Sequence, residues 1–140
     1  MNFENYTERS RGFIQSAQGR AARTGHQRFA PEHLPKELLE DGEGLAANLL
    51  RGAGAAPESV LRAVDGELDK MPRVEGAGAG QLYLAPETAR LFESAEQLAE
   101  KAGDRFVTAE RLLLALALAT GTPSATILAD AGATPQALNG

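Results

Sequence analysis

The chain has no cysteine and no tryptophan, and aromatic residues fill only 5% of its 140 positions. Without cysteine there is no disulfide framework, no thiol nucleophile and no thiolate zinc site. With so few aromatics, the core must be aliphatic. Valine and isoleucine are scarce as well, while alanine and leucine abound. Alanine and leucine favour helices and β-branched residues favour strands, so an all-β fold is excluded. Positive charge is in deficit: 14 Lys and Arg face 19 Asp and Glu, a net charge of −5. That leaves no broad basic surface for nucleic acid. No apolar run reaches the roughly 18 residues of a membrane span. The longest, Leu112 to Ala119, is too short. Met1-Asn2-Phe3-Glu4-Asn5-Tyr6 shows neither the basic nor the apolar segment of a secretory leader. A cytoplasmic location is the default expectation.

What is present is one domain's worth of chain, long enough to bury about 70% of its unfolded surface. It carries an internal repeat. At an offset of 78, Leu50-Arg51-Gly52-Ala53-Gly54-Ala55-Ala56-Pro57 lies over Leu128-Ala129-Asp130-Ala131-Gly132-Ala133-Thr134-Pro135, with five of eight positions identical. At the same offset Ser16-Ala17 falls on Ser94-Ala95, Ala21 on Ala99, Gly25 on Gly103, Glu32 on Glu110 and Leu34 on Leu112. Phe29 and Phe106 match only with a one-residue slip.

Prolines punctuate the helices, since proline fits a first turn whose N–H has no partner. Pro31, Pro57, Pro86, Pro123 and Pro135 each open a run of helix formers. Gly25, Gly103 and Gly132 stand where helices should stop. The expected helices are 5–23, 31–40, 44–51, 57–70, 86–102, 108–119, 123–131 and 134–140, four per repeat. The first and fifth carry apolar stripes at helical spacing: Tyr6, Phe13, Ala17 and Ala21 in one, Leu91, Ala95, Leu98 and Ala102 in the other. Repeat one is expected over about 1–70, a linker over 71–84 and repeat two over 85–140. Alternating Gly76, Gly78 and Gly80 mark the linker, with Leu82, Tyr83 and Leu84 docking it on the core. The last helix runs to Gly140, and the chain is expected to continue beyond it.

No chemistry-bearing motif emerges. The linker glycines lack the Lys and hydroxyl of a phosphate-binding loop. His26 and His33, seven apart, lack a metal-ligand pattern and read as surface or capping residues. No metal and no cofactor is expected. Ser16 and Ser94 read as small residues at close helix packing, and no serine has a nucleophile-elbow context. Glu37, Glu40 and Asp41 read as a solvated face. Arg9, Arg11, Arg20, Arg23 and Arg28 against Glu4 and Glu8 give a local net charge of +3, read as the solvated side of the first helix. Pro35 breaks a rule, because an interior helix proline costs about 3 kcal/mol. Either the second helix begins late or the chain bends there.

Certain segments resemble a known family: Tyr6-Thr7-Glu8-Arg9, Gly25-His26-Gln27-Arg28-Phe29-Ala30-Pro31-Glu32-His33-Leu34, Leu38-Leu39-Glu40-Asp41, Pro72-Arg73-Val74-Glu75-Gly76, Gly103-Asp104-Arg105-Phe106 and Ala131-Gly132-Ala133-Thr134. Together they resemble the double Clp N-domain family of AAA+ chaperones. The Pro-x-Val-x-Gly linker favours the ClpB type within it. The resemblance implies an all-α, eight-helix pseudo-twofold domain of two four-helix Clp repeats. It implies a non-catalytic domain that captures unfolded or aggregated protein clients for an ATPase ring, with no nucleic acid or membrane partner and a monomeric isolated state. The alternative is an adaptor-docking or phosphoarginine-binding domain of the ClpA or ClpC type. By motif the family's polar patch falls on Thr7, Asp104 and Glu110, and an adjacent apolar groove on Leu91, Phe92 and Leu112. Pro35, Glu37 and Arg111 depart from the family's apolar residues, and Arg111 is expected to narrow the groove.

Overall fold

The structure, a computed structural model, describes residues 3–41, 44–74 and 82–139. Its elements run α1 (Glu8–Thr24), β1 (Arg28–Phe29), α2 (His33–Leu39), α3 (Leu45–Gly52), α4 (Pro57–Lys70), β2 (Tyr83–Leu84), α5 (Pro86–Lys101), α6 (Ala109–Leu118), α7 (Pro123–Asp130) and α8 (Pro135–Asn139). The all-α architecture follows the sequence expectation, and the two short strands serve as clasps.

Local chemistry sets the helix starts. Thr7, Thr108 and Thr122 cap α1, α6 and α7, each side-chain oxygen accepting an N–H of the first turn. Prolines open α4, α5, α7 and α8. Pro31 does not open α2, which begins at His33. Pro35 therefore sits in the first turn, where its missing N–H is no loss. The late start resolves the apparent violation. The first helix also starts later than expected, because Tyr6 is taken up in a bridge to Val107.

From Leu112 to Ala117 helix α6 is apolar on every side, so this stretch must be enclosed all round. Leu112, Leu113, Leu114, Ala115, Leu116 and Ala117 are all buried, with α5, α7, α3, α8 and α1 packed around them. The other helices bury one stripe each, as Val60, Val64 and Leu68 do on α4.

Two clasps join the halves, and they are related by the offset of 78. β1 pairs in parallel with β2, Phe29 opposite Leu84. The parallel bridge of Tyr6 to Val107 is the equivalent pair with the halves exchanged. In one clasp the Ala85 amide donates to the Phe29 carbonyl (3.2 Å), and in the other Thr7 donates to Val107 (3.1 Å). The same carbonyls accept buried hydroxyls, Thr88 on Phe29 at 2.7 Å and Ser10 on Val107 at 3.0 Å. This is a pseudo-twofold fold in which each half completes the other.

The clasps correct two readings. Phe29 corresponds to Val107 in strict register, so there is no slip, and Phe106 is a surface residue 41% exposed. The hydroxyls that pack closely are Ser10 and Thr88, not Ser16, which is exposed, or Ser94, which is partly exposed. The glycines 76, 78 and 80 lie outside the described residues. Beyond them, Leu82 packs on the core, but Tyr83 and Leu84 dock through their backbone and leave Tyr83 58% exposed.

Candidate functional site

Thr7, Asp104 and Glu110 come to one end of the fold, around the start of α6. Thr7 is tied by its amide to the carbonyl of Val107, the residue before the α6 cap Thr108. Its hydroxyl is engaged as the α1 cap and donates to Ser10 Oγ (2.9 Å). Asp104 accepts a hydrogen bond from Arg111 Nε at 2.8 Å. Arg111 is thus held as an acid's partner, and it borders a cleft together with Glu110. Glu110 lies exposed in the first turn of α6. Asp104 borders a cleft of about 310 Å3 with Glu96 and Phe106, whereas Glu110 borders a different, smaller one with Leu49 and Leu138.

The expected apolar groove is closed at its named residues. Phe92 and Leu112 are 0% exposed. Phe92 sits in an aromatic cluster with Phe3, Tyr6 and Phe29. Helices α5 and α6 pack directly on each other, so both side chains belong to the core. Leu91 is 1% exposed and also belongs to the core, though it borders another cavity.

That cavity has a volume of about 510 Å3. It lies between β1–α2, α5 and the turn joining α6 to α7. The 43%-exposed Leu118 supplies apolar surface, with the buried Leu91 behind it. Arg28 donates to Glu87 at 2.9 Å across the mouth, and Arg90 stands exposed beside them. The Glu87 carboxyl lies below the usual carboxylate range, first because its own backbone N–H bonds to it, with Arg28 and Arg90 adding to the effect. Glu32 forms part of the wall and is buried. Its Oε2 accepts the Ser124 amide (3.1 Å) and hydroxyl (2.7 Å), joining the halves. Sequence reasoning missed this cleft. A usable signal existed, since Glu32 is the offset equivalent of Glu110.

The charged residues of the first half are mostly paired. Glu37 is buried and takes both oxygens to Arg20 Nε (3.2 Å each). Arg20 also reaches Glu40 (2.8 Å), Lys36 pairs with Asp65 (2.6 Å) and Arg9 pairs with Asp41. The reading of Glu37 as part of a solvated face is thereby corrected. The histidines are corrected too: both are buried, and their rings meet with Nδ1 of His26 2.9 Å from Nε2 of His33. Among the described residues no group of three or more His, Cys, Asp or Glu could hold a metal ion. No single described helix is long and apolar enough to cross a membrane.

Residues 5–131 match the family model of the Clp repeat (R) N-terminal domain. The chaperone protein ClpB of Rhodopseudomonas palustris is 58% identical over 99% of the chain. That of Brucella suis is 52% identical over 99%, and that of Porphyromonas gingivalis 38% over 99%. The chain spans 16% of the length of each of these relatives. Among solved structures, the Hsp104 N-terminal domain from Candida albicans superposes with a TM-score of 0.81 at 18% identity, covering 96% of this chain and 87% of that one. The N-terminal domain of the E. coli ClpV1 ATPase gives 0.79 at 21% identity, with 98% and 83% covered. At these identities the likeness speaks for the fold.

Proposed function

The chain belongs to the family of Clp repeat N-terminal domains, and from that premise we propose that it is the client-capturing domain of a ClpB-type disaggregase. The observation that carries the reading is the 58% identity to a ClpB chaperone over 99% of the chain. On this reading the domain is non-catalytic, binds unfolded or aggregated protein, and hands it to an ATPase ring formed by the rest of the protein.

The surface chemistry supports weak and sequence-tolerant binding. An open cleft with Leu118 as its exposed apolar side chain offers roughly 25 cal/mol per Å2 of apolar area buried, offset in part by ordering the captured segment. Its rim carries both signs of charge, through Arg90 and Glu87. Thr7, Asp104 and Glu110 are proposed as a second polar contact region. Exposed pairs of this kind contribute about 0–1 kcal/mol each, which suits cargo that must be released.

An NMR titration with a permanently unfolded protein tests the reading. Amide shifts are expected to concentrate at Arg90, Leu118, Asp104 and Glu110, with Phe92 and Leu112 moving little. An unperturbed spectrum at millimolar ligand overturns it. Capture of one stoichiometric folded partner, with no binding of unfolded protein, overturns it in favour of adaptor docking.

A further inference from the structure

The two buried histidines form a directed relay. The Ala30 amide donates to Nδ1 of His33 at 3.0 Å, so that nitrogen is the acceptor and the His33 proton sits on Nε2. Nε2–H then donates to Nδ1 of His26. The His26 proton is left on Nε2, an enclosed atom without a hydrogen-bond partner at good geometry, on the side of the Leu68 carbonyl. Both ring lone pairs are engaged as acceptors inside the protein. A proton added to His26 Nδ1 turns an N–H against the Nε2–H of His33, and one added to His33 Nδ1 meets the Ala30 amide, with the Ala30 carbonyl 3.3 Å away as the alternative acceptor.

The relay sits where three helices meet. It borders a cleft of about 310 Å3 between α1, α2 and α4. Facing it are Arg20 from α1, Lys36 from α2, Asp65 and Asp69 from α4, and Arg73 just beyond α4. Glu37 of α2 is bound to Arg20, and Arg28 of β1 acts on His33 from the other side. His26 follows Gly25, whose carbonyl accepts the Val74 amide at 2.8 Å and so pins the chain leaving α4. In the second half the offset of 78 puts Asp104 at the place of His26 and Arg111 at that of His33. There the same contact is a part-exposed ion pair with no imidazole in it.

We propose that the His26–His33 relay is a proton-operated latch that holds α2 and the Val74 crossing against α1 and α4, and that acid opens in the first half only. Burial lowers the His33 ring to about 4, with His26 and Arg28 adding to it and the Ala30 carbonyl opposing. Burial likewise lowers His26, with Arg73 adding. For a depressed histidine the stabilisation is complete above the free value of 6.5 and declines as pH falls, reaching its end at the folded value. The window is therefore pH 6.5 to about 4. Each proton taken up on opening raises the opening constant about tenfold per pH unit within it.

Two measurements on the intact chain test the latch. Histidine ring NMR should keep His33 neutral down to about pH 4. Amide exchange between pH 6.5 and 4, referenced to α6 in the same sample, should show α2 and Val74 losing protection about tenfold per pH unit. The double variant His26→Asp/His33→Arg, which installs the second half's pair, should abolish that difference. Both histidines titrating near 6.5, or α2 and α6 losing protection in step, overturns the proposal. If the variant does not fold, the wild-type comparison of α2 with α6 decides alone.

Discussion

Equivalent positions in the two halves have been given different chemistry, and single residues explain why. Glu32 and Glu110 are offset equivalents. Glu32 is buried because Ser124 supplies two donors to one of its oxygens. The position equivalent to Ser124 is Ala46, which has no hydroxyl, and Glu110 stays in solvent. A buried carboxylate persists only with such partners. Ser124→Ala is therefore expected to destabilise the domain by about 1.5–3 kcal/mol, the range for a hydrogen bond to a charged group, measured by urea unfolding. A change under half a kcal/mol would mean that the Ser124 amide alone holds Glu32. The corrections at Phe92, Leu112, His26 and His33 share one cause: composition says nothing of which neighbour a side chain will find.

Among elements, turns and caps were the most legible features. Helix α4 begins and ends at the expected residues, 57–70, because Pro57 starts it and its Val60, Val64 and Leu68 stripe sets its face. The start of α2 was not legible, since Pro31 and Pro35 are both acceptable first-turn residues and only packing selects His33. Two helix-terminating glycines show what context adds. Gly25 and Gly103 both have positive φ, 88° and 76°. A Cβ on Gly25 would come within 2.9 Å of the Val74 carbonyl oxygen, while one on Gly103 meets open space. Gly103→Ala is expected to cost about 1–2 kcal/mol, the left-handed backbone penalty alone. Gly25→Ala should cost distinctly more and release the Val74 crossing. Equal melting-temperature losses for the two would contradict this account.

At the scale of the whole molecule, the exchanged clasps make the halves interdependent. Phe29 needs Leu84, and Tyr6 needs Val107. The buried hydroxyls of Ser10 and Thr88 have their acceptors in the opposite half. Residues 1–74 alone would leave Tyr6 and Phe29 facing water in place of Phe92 of α5. That fragment is expected to lack a cooperative thermal transition, and adding residues 82–140 should restore one. A sharp two-state melt of the monomeric fragment would refute the interdependence. The cleft of about 510 Å3 likewise opens where the two halves meet, with residues of both in its lining.

The sequence by itself determined the helical class, the twofold duplication, most helix boundaries and the family. Those features reside in local propensity, spacing and the repetition of short motifs, all of which are readable along one chain. Only the tertiary structure decided that Phe92 and Leu112 fill the core, that Glu32 and not Glu110 is buried, and that two histidines seven residues apart share a hydrogen bond. The pairings that join the halves link residues 59 to 97 positions apart, and even the two histidines meet only because α2 folds back on α1. The absence of cysteine, tryptophan and long apolar runs fixed what the protein could not be. The meeting of its two halves fixed where it presents a surface.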